Sequence, residues 1–556
     1  MPQRCDSSRP AHDAGARVFD LLLRGGTVID GSGAPGRRAD VGIADARIAA
    51  VGDLAAAGAR QIVDAAGLAV CPGFIDVHSH SDVYLLIAPD AASKVSQGVT
   101  AEIVGQCGCS AAPRGAAAPL PADWEAAARA AGLPAPADPA GAAPWQTVAE
   151  YRRYLVDRGH AVHVAMLAGH NALRATVMGY APRPATAAET AAMGRLLAEA
   201  LAQGACGLST GLLYQPGCHA AAGEVTELAR VAAEAGGIYA SHMRNEGDRL
   251  LEALDEALAV ARATGVRLQV SHLKTSGRAN WAKLDEALAR IETARADGLR
   301  VHADRYPYVA GATDLDVVLP GWAANGGREA VRARLDDDDA RRRIAAELDA
   351  SRPREAWQGV LIGGTWHPDL RPFRGRSVLE AAAKMGCTPG DAIANALRLD
   401  GLRTGAFFFG MSEENLRRIY GRGWVMVGSD ASLRAPEGPL ADDHPHPRAY
   451  GTFPRFLRTM ALDGGALSIE EAVRRCTSLP AGAFGLGGRG TIVPGAWADL
   501  AVVDLAAVRD RATYDRPQQF SEGIRLTVVN GAIVWDGSRT TGARPGCWLT
   551  PEWEKK

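Results

Sequence analysis

Two histidines stand two residues apart at the end of an apolar run, in CPGFIDVHSHSD over residues 71–82. On a strand, residues i and i+2 share a face, so His78 and His80 present both imidazoles on one side. Burying such a pair is costly unless its nitrogens are satisfied, by ordinary hydrogen bonds or by a metal. The same pattern returns downstream. YASHMRNEGD carries His242, LQVSHLKTSG carries His272, and VMVGSD ends in Asp430, each after an apolar run. Taken singly, each histidine reads equally as a hydrogen-bonded core or rim residue, and Asp430 as the N-cap of a following helix. Four imidazoles and a carboxylate at strand ends are a different matter. Donors of that kind and number suit a zinc-type ion. Asp76 and Asp82 fit either ring-orienting acceptors or turn residues.

Such residues need elements that bring them together. Short apolar runs (VHVAMLAGH, GACGLSTGL, GIYASHM, RLQVSHL, LRVHADRYPY, WVMVGSD) alternate with stretches such as TAAETAAMGRLLAEALAQ and DRLLEALDEALAVARATG. The latter have apolar residues at helical spacing. Repeated strand–helix units predict an α/β fold with a (β/α)₈ barrel, whose chemistry lies at the C-terminal strand ends. No glycine-rich dinucleotide fingerprint follows an early strand, which disfavours the open doubly wound alternative. FDLLLRGGTVIDGSG near the start is echoed by LTVVNGAIVWDGSR near the end. Two such hairpin-like patterns predict a small composite β-sandwich domain built from residues 18–70 and 486–545, flanking a barrel over 71–485. Two stretches sit outside this scheme as insertions: the Ala/Pro-rich residues 111–144, and residues 316–378 with their charge run RARLDDDDARRRIAAEL, read as a solvated helical face.

Bulk composition narrows the classes of function. A chain of 556 residues exceeds one ordinary domain. Its formal net charge of −2 gives no electrostatic reason to expect nucleic acid or an anionic membrane as partner. No run of about 18 apolar residues predicts a membrane span, and the first residues lack an export core. Nine scattered cysteines read as reduced thiols, hence a cytoplasmic protein. Oligomeric state stays open, a homo-oligomer included.

The ordered phrases PGFIDVHSHSD, GQCGCSAAP, AGHNALR, GLSTGLLYQPG, SHMRNEGD, SHLKTSG, DRYPY, GSD, HPHPRAYGTFPR and RGTIVPGAWADLAVVD run through nearly the whole chain. With them the sequence resembles the D-aminoacylase (N-acyl-D-amino-acid deacylase) family of the amidohydrolase superfamily. That resemblance implies a barrel with a composite β-domain, zinc dependence and hydrolysis of N-acyl-D-amino acids. It also implies ligand roles: Cys107 with His242 and His272 for a tightly bound zinc, His78 and His80 for a second, weaker position. Many superfamily members bridge two metals with a carbamylated lysine on a middle strand. Here no lysine occurs between Lys94 and Lys274, and a cysteine thiolate fits instead. Cys109 departs from the family pattern, where an aliphatic residue is usual, and is expected to be a small buried residue.

The implied reaction is amide hydrolysis by metal-activated water, with Asp430 taking a proton from the water and passing it to the leaving nitrogen. The substrate, a small molecule with a carboxylate, needs fixed donors. Lys274 lies two residues beyond His272, and Arg448 offers a bidentate fork. Tyr214 and Tyr306 match family positions near the carboxylate, though each reads equally as a rim aromatic. His444 and His446, set among prolines, are expected to shape the loop that presents Arg448, and His170 to sit behind the ligands or at the rim. Two rivals remain: a cyclic-amide hydrolase or isoaspartyl-type dipeptidase on the same scaffold, and a barrel that has lost catalysis.

Overall fold

The computed structural model describes residues 18–115, 124–133 and 144–553. Eight parallel strands form the central barrel: β1 (Phe74–Asp76), β2 (Val99–Val104), β3 (His163–Gly169), β4 (Gly207–Gly211), β5 (Ile238–His242), β6 (Arg267–Val270), β7 (Val301–Arg305) and β8 (Val425–Val427). Alternation along the strands divides them between two cores. In β3, Ala165 and Leu167 point into the barrel, where they meet Ile75, Ile103, Ala240 and Met426. Val164, Met166 and Ala168 point outward into the larger core beneath the helices. The ring closes just beyond β8 and β1. Asp430 N donates to His78 O at 2.7 Å and His80 N to Ala431 O at 3.3 Å, so the closing seam runs through the histidine pair.

The helical stretches form where the spacing predicts. Ala187–Ala202 begins at a capping box of Thr186 and Glu189 and buries Met193, Leu197 and Ala200. Leu250–Thr264 buries Leu254 and Leu258 and stops at Gly265 in the left-handed region. Each such leucine stabilises the fold by about 1.5–3 kcal/mol. Truncating one to alanine would cost about 2–5 kcal/mol.

Both chain ends build one eight-stranded sheet. The early strands Phe19–Val28, Arg37–Ala44, Arg47–Gly52, Ala59–Asp64 and Ala69–Pro72 join Leu500–Val503, Ile524–Val529 and Ala532–Trp535. The two echoing phrases are not two like hairpins. The later one is a hairpin because Asn530 and Gly531 both take positive φ (45° and 77°), as a two-residue turn between twisted strands requires. The earlier one is a single long strand with a bulge between Leu23 and Gly26.

The helical insertion is wider than its charge pattern indicates. Ala310–Asp314 and Gly405–Phe409 pair antiparallel, with Val360–Ile362 beside them, so the unit spans 310–409 and not 316–378. It buries a core of its own, including Leu335, Ile344, Trp357 and Leu397. The charge run is two helices that part at Asp337, whose side chain caps Asp338–Ser351. Most of the Ala/Pro-rich insertion expected at 111–144 lies outside the described residues; within it Trp124–Ala130 is helical. Among the described residues, no helix is long and apolar enough to cross a membrane.

Candidate active site

The predicted ligands converge at the C-terminal end of the barrel. His242 closes β5. His78 and His80 follow β1 on a bend, Cys107 follows β2, His272 follows β6 and Asp430 follows β8. Donor atoms of His78, His80, Cys107 and Asp430 lie within 4.8 Å of one another, and so do those of Cys107, His242 and His272. Cys107 belongs to both sets. Its Sγ is 3.2 Å from His78 Nε2 and 3.5 Å from His272 Nε2, and the latter is 2.9 Å from His242 Nδ1.

The backbone is strained at this place. Among the described residues eight non-glycine residues have positive φ, and three of them are Cys107 (53°), His272 (36°) and Asp430 (51°). Each such conformation costs about 1–3 kcal/mol and persists only where the surroundings impose it. Here it turns side chains from three different strand ends toward one point.

Sulfur and two imidazole nitrogens within 4.8 Å of one another, two of the separations being 2.9 and 3.5 Å, match donors around one small cation. With bonds near 2.1–2.3 Å, tetrahedral neighbours sit about 3.5 Å apart. Protein partners alone leave the set unsatisfied. His242 Nε2 is buried without a hydrogen bond, and two imidazole nitrogens face each other with no acceptor between them but themselves. Burial, helped by Asp430, Cys109 and Asp304, pushes the Cys107 thiol well above its usual range. A buried cysteine in this position is useful as a thiolate only with a cation to hold it. The residues therefore fit a zinc-type ion shared through Cys107.

Two carboxylates that the sequence reading missed orient the rings. Asp304 on β7 lies 3.1 Å from His78 Nδ1 and accepts from His272 N at 2.9 Å. Glu246 Oε1 lies 2.8 Å from His272 Nδ1, leaving Nε2 to face the donor cluster. Asp76 and Asp82 do not serve the rings. Asp76 accepts backbone N–H groups from His78 and Ser429, and Asp82 those of Gly105 and Ala111.

Asp430 Oδ1 is 3.1 Å from His80 Nε2 and 3.4 Å from His78 Nε2. Burial alone would raise its carboxyl, but Arg448, His272 and His78 overrule that and hold it well below the usual range. The group is therefore held as a carboxylate beside the donor cluster.

The residues expected to bind a carboxylate divide. Lys274 is committed elsewhere: its Nζ lies 2.5 Å from Glu246 Oε1 and donates to His272 O at 3.1 Å. Arg448 pairs through Nη1 with Asp430 Oδ2 at 2.8 Å and donates through Nη2 to Ala312 O at 3.2 Å; its buried Nε has no partner. The guanidinium stands 4.6 Å over the Tyr306 ring. Tyr214 packs edge-on to His242 at 4.8 Å and bonds the side chain of Thr313. His446 Nδ1 accepts from Arg448 N at 3.0 Å, so this histidine shapes the loop as expected. His444 bonds Tyr514 O, and His170 pairs with Glu224 outside both donor sets. Cys109 differs from expectation: it is exposed, because the chain turns at Gly108 after Cys107 has gone inward.

The Amidohydrolase family pattern matches residues 61–535. An N-acyl-D-glutamate deacylase of Alcaligenes xylosoxydans xylosoxydans is 42% identical over 519 residues, 93% of this chain and 94% of its own. A D-aminoacylase of the same organism is 40% identical over 536 residues, 96% of this chain and 97% of its own. The crystal structure of an N-acyl-D-glutamate deacylase from Bordetella bronchiseptica, complexed with zinc and a phosphonate inhibitor, superimposes with a TM-score of 0.79 at 38% identity, covering 96% of this chain and all of that one. Fold, donor cluster and whole-length similarity agree, and the chain belongs to the D-aminoacylase branch of the amidohydrolase family.

Proposed function

We propose that the protein is a zinc-dependent deacylase that hydrolyses N-acyl-D-amino acids to a carboxylate and a free D-amino acid. The observation that carries this reading is an ionised Asp430 within 3.4 Å of two histidines that lie in one donor set with the Cys107 sulfur, with Arg448 on its other oxygen. Cys107, His242 and His272 would hold one zinc, and His78 and His80, with Cys107, a second, weaker one. A bound zinc supplies the acidity that makes water nucleophilic near neutral pH and polarises the amide carbonyl.

The rest belongs to the chain's own groups. Asp430 takes the proton from the attacking water and returns it to the amide nitrogen, because an unprotonated amine anion is a very poor leaving group. Arg448 has donor capacity left at Nε to receive the substrate carboxylate, with Tyr306 against its guanidinium and Tyr214 against His242. Lys274 acts more simply, by fixing Glu246 and His272 together. Preference for the D-enantiomer rests on the relatives' activities, since they act on N-acyl-D-amino acids.

The test is amine release from matched N-acetyl-D- and N-acetyl-L-amino acids, with zinc-loaded and chelated protein side by side. Zinc-dependent release from the D series alone supports the proposal. Turnover of a hydantoin or dihydropyrimidine with no release from either series would replace it by a cyclic-amide hydrolase.

A further inference from the structure

Behind the donor cluster lies a buried lysine with no place in the reaction as drawn so far. Lys94 follows the short helical turn's start at Ala92 and is fully enclosed. Its Nζ lies 2.8 Å from Asp76 Oδ2, 2.9 Å from Ser429 Oγ, 3.0 Å from Ala431 O, 3.0 Å from Glu102 Oε1 and 3.3 Å from Ser79 Oγ. None of these partners is a donor in the cluster, yet all but Glu102 stand within two residues of one. Asp76 precedes His78 by two residues, Ser79 separates His78 from His80, and Ser429 and Ala431 flank Asp430.

The contacts therefore bear on the closing seam of the barrel. Asp76 Oδ1 accepts from Ser429 N at 2.8 Å and from His78 N at 3.2 Å, while its other oxygen is held by Lys94. Lys94 also holds the carbonyl directly after Asp430. Asp430 itself sits at φ 51°, a conformation an aspartate leaves unless it is fixed on both sides. On both sides the neighbouring residue is held by the same ammonium, at Ser429 Oγ and at Ala431 O. Charge points the same way: Asp76 and Glu102 outnumber Lys94, so the buried cluster keeps one net negative charge beneath a site built for cations.

We propose that Lys94 is a positioning residue for the general base, holding the Ser429–Ala431 turn in the conformation that aims the Asp430 carboxylate at His78 and His80. This rests on the reading of Asp430 as the base. Without Lys94, the Ala431 carbonyl and Asp76 lose their common cation and Asp430 relaxes out of the left-handed region. The carboxylate then leaves proton-transfer distance, although the substrate pocket and the Cys107–His242–His272 set remain.

Lys94→Met alone would leave two buried carboxylates unbalanced and could fail to fold, so the decisive variant is Lys94→Met with Glu102→Gln. It restores the original net charge but not the clamp. The expected result is a folded, metal-loaded protein whose kcat falls at least about 50-fold while KM stays within about threefold, with Asp430 at negative φ in its crystal structure. Glu102→Gln alone, which keeps the lysine on Asp76, Ser429 and Ala431, should retain kcat within a few fold. A folded double variant with wild-type kcat, or with Asp430 still at positive φ, would overturn the proposal. The backbone readout needs no turnover. If the wild-type protein releases no amine from any N-acyl-D-amino acid, the functional reading fails while the positional claim is still judged by that angle.

Discussion

The two ends of the barrel carry nearly the same side chains and do opposite things with them. At the mouth stand His78, His80, His242, His272, Cys107, Asp430 and Arg448, all but His80 buried. At the closed end, His163, Asp499 and Arg489 are buried with Cys547 beside them. There both ring nitrogens are spent: His163 Nε2 lies 3.0 Å from Asp499 Oδ1, and Nδ1 accepts from Cys547 N at 3.1 Å. Asp499 further accepts from Asn530 N at 2.8 Å and pairs with Arg489. At the mouth His242 Nε2 has no hydrogen bond, its nearest carboxylate oxygen being Glu246 Oε2 at 4.0 Å, and the thiol sulfur faces two imidazole nitrogens. Residue type and burial do not separate a ligand site from a structural cross-link. What separates them is whether the lone pairs are used up inside the protein.

That contrast can be broken in several places. The largest effect should come from Cys107→Ala, which removes the donor common to both sets; the protein should purify without tightly bound zinc and without activity, as metal analysis and amine release would record. Asp430→Asn should keep its metal and lose roughly 10²–10⁴-fold in kcat. An Asp430→Asn protein with more than a tenth of wild-type turnover would remove the aspartate from its role. Asp304→Asn should be milder, weakening zinc affinity about 10–100-fold in a competition titration because His78 and the His272 backbone lose their acceptor. At the other end, Asp499→Asn should leave kcat per folded molecule unchanged and lower unfolding stability by about 3 kcal/mol, since Arg489 then remains buried without its partner.

The last effect is one of pH. His160, near the closed end, is wholly buried; its Nδ1 donates to Val162 O and its Nε2 has no partner. Burial pulls its pKa down to about 4. In the unfolded chain it binds a proton below about pH 6.5, while the folded chain refuses it until about pH 4. Acid therefore favours unfolding across that window, and this residue's share reaches about 3 kcal/mol at its lower end. Urea midpoints of the wild type and His160→Asn between pH 7 and 4 should converge or cross as the pH falls. Parallel curves would mean the ring is protonated in the folded state after all.

The sequence revealed first what recurs and last what crosses. Ser-His at the end of apolar runs could be read because the barrel repeats one local motif at successive strand ends. Asp304 and Glu246 were missed because their partners lie on other strands or across a turn: Asp304 reaches from β7 to His78 after β1. Lys274 was read as a free donor facing the site, and its engagement was not legible, since Glu246 is close only in three dimensions. The hairpin echo misled because both phrases share turn residues, while only Asn530-Gly531 is flanked by strands of a register that pair. Cys109 looked like a core residue because the family it resembles usually has an aliphatic residue there, and the turn at Gly108 reversed its direction.

The split sheet has a consequence for how the protein is made. Ala69–Pro72 pairs with Leu500–Val503, more than four hundred residues later, and Phe19–Val28 relies on the same sheet. During synthesis these first strands leave the ribosome with an open edge long before their partner exists. Unpaired edges of this kind recruit other chains. A nascent chain halted before residue 500 should therefore bind holding chaperones or aggregate, although all eight barrel strands have already been translated. Biogenesis, more than the finished fold, is where this architecture is exposed.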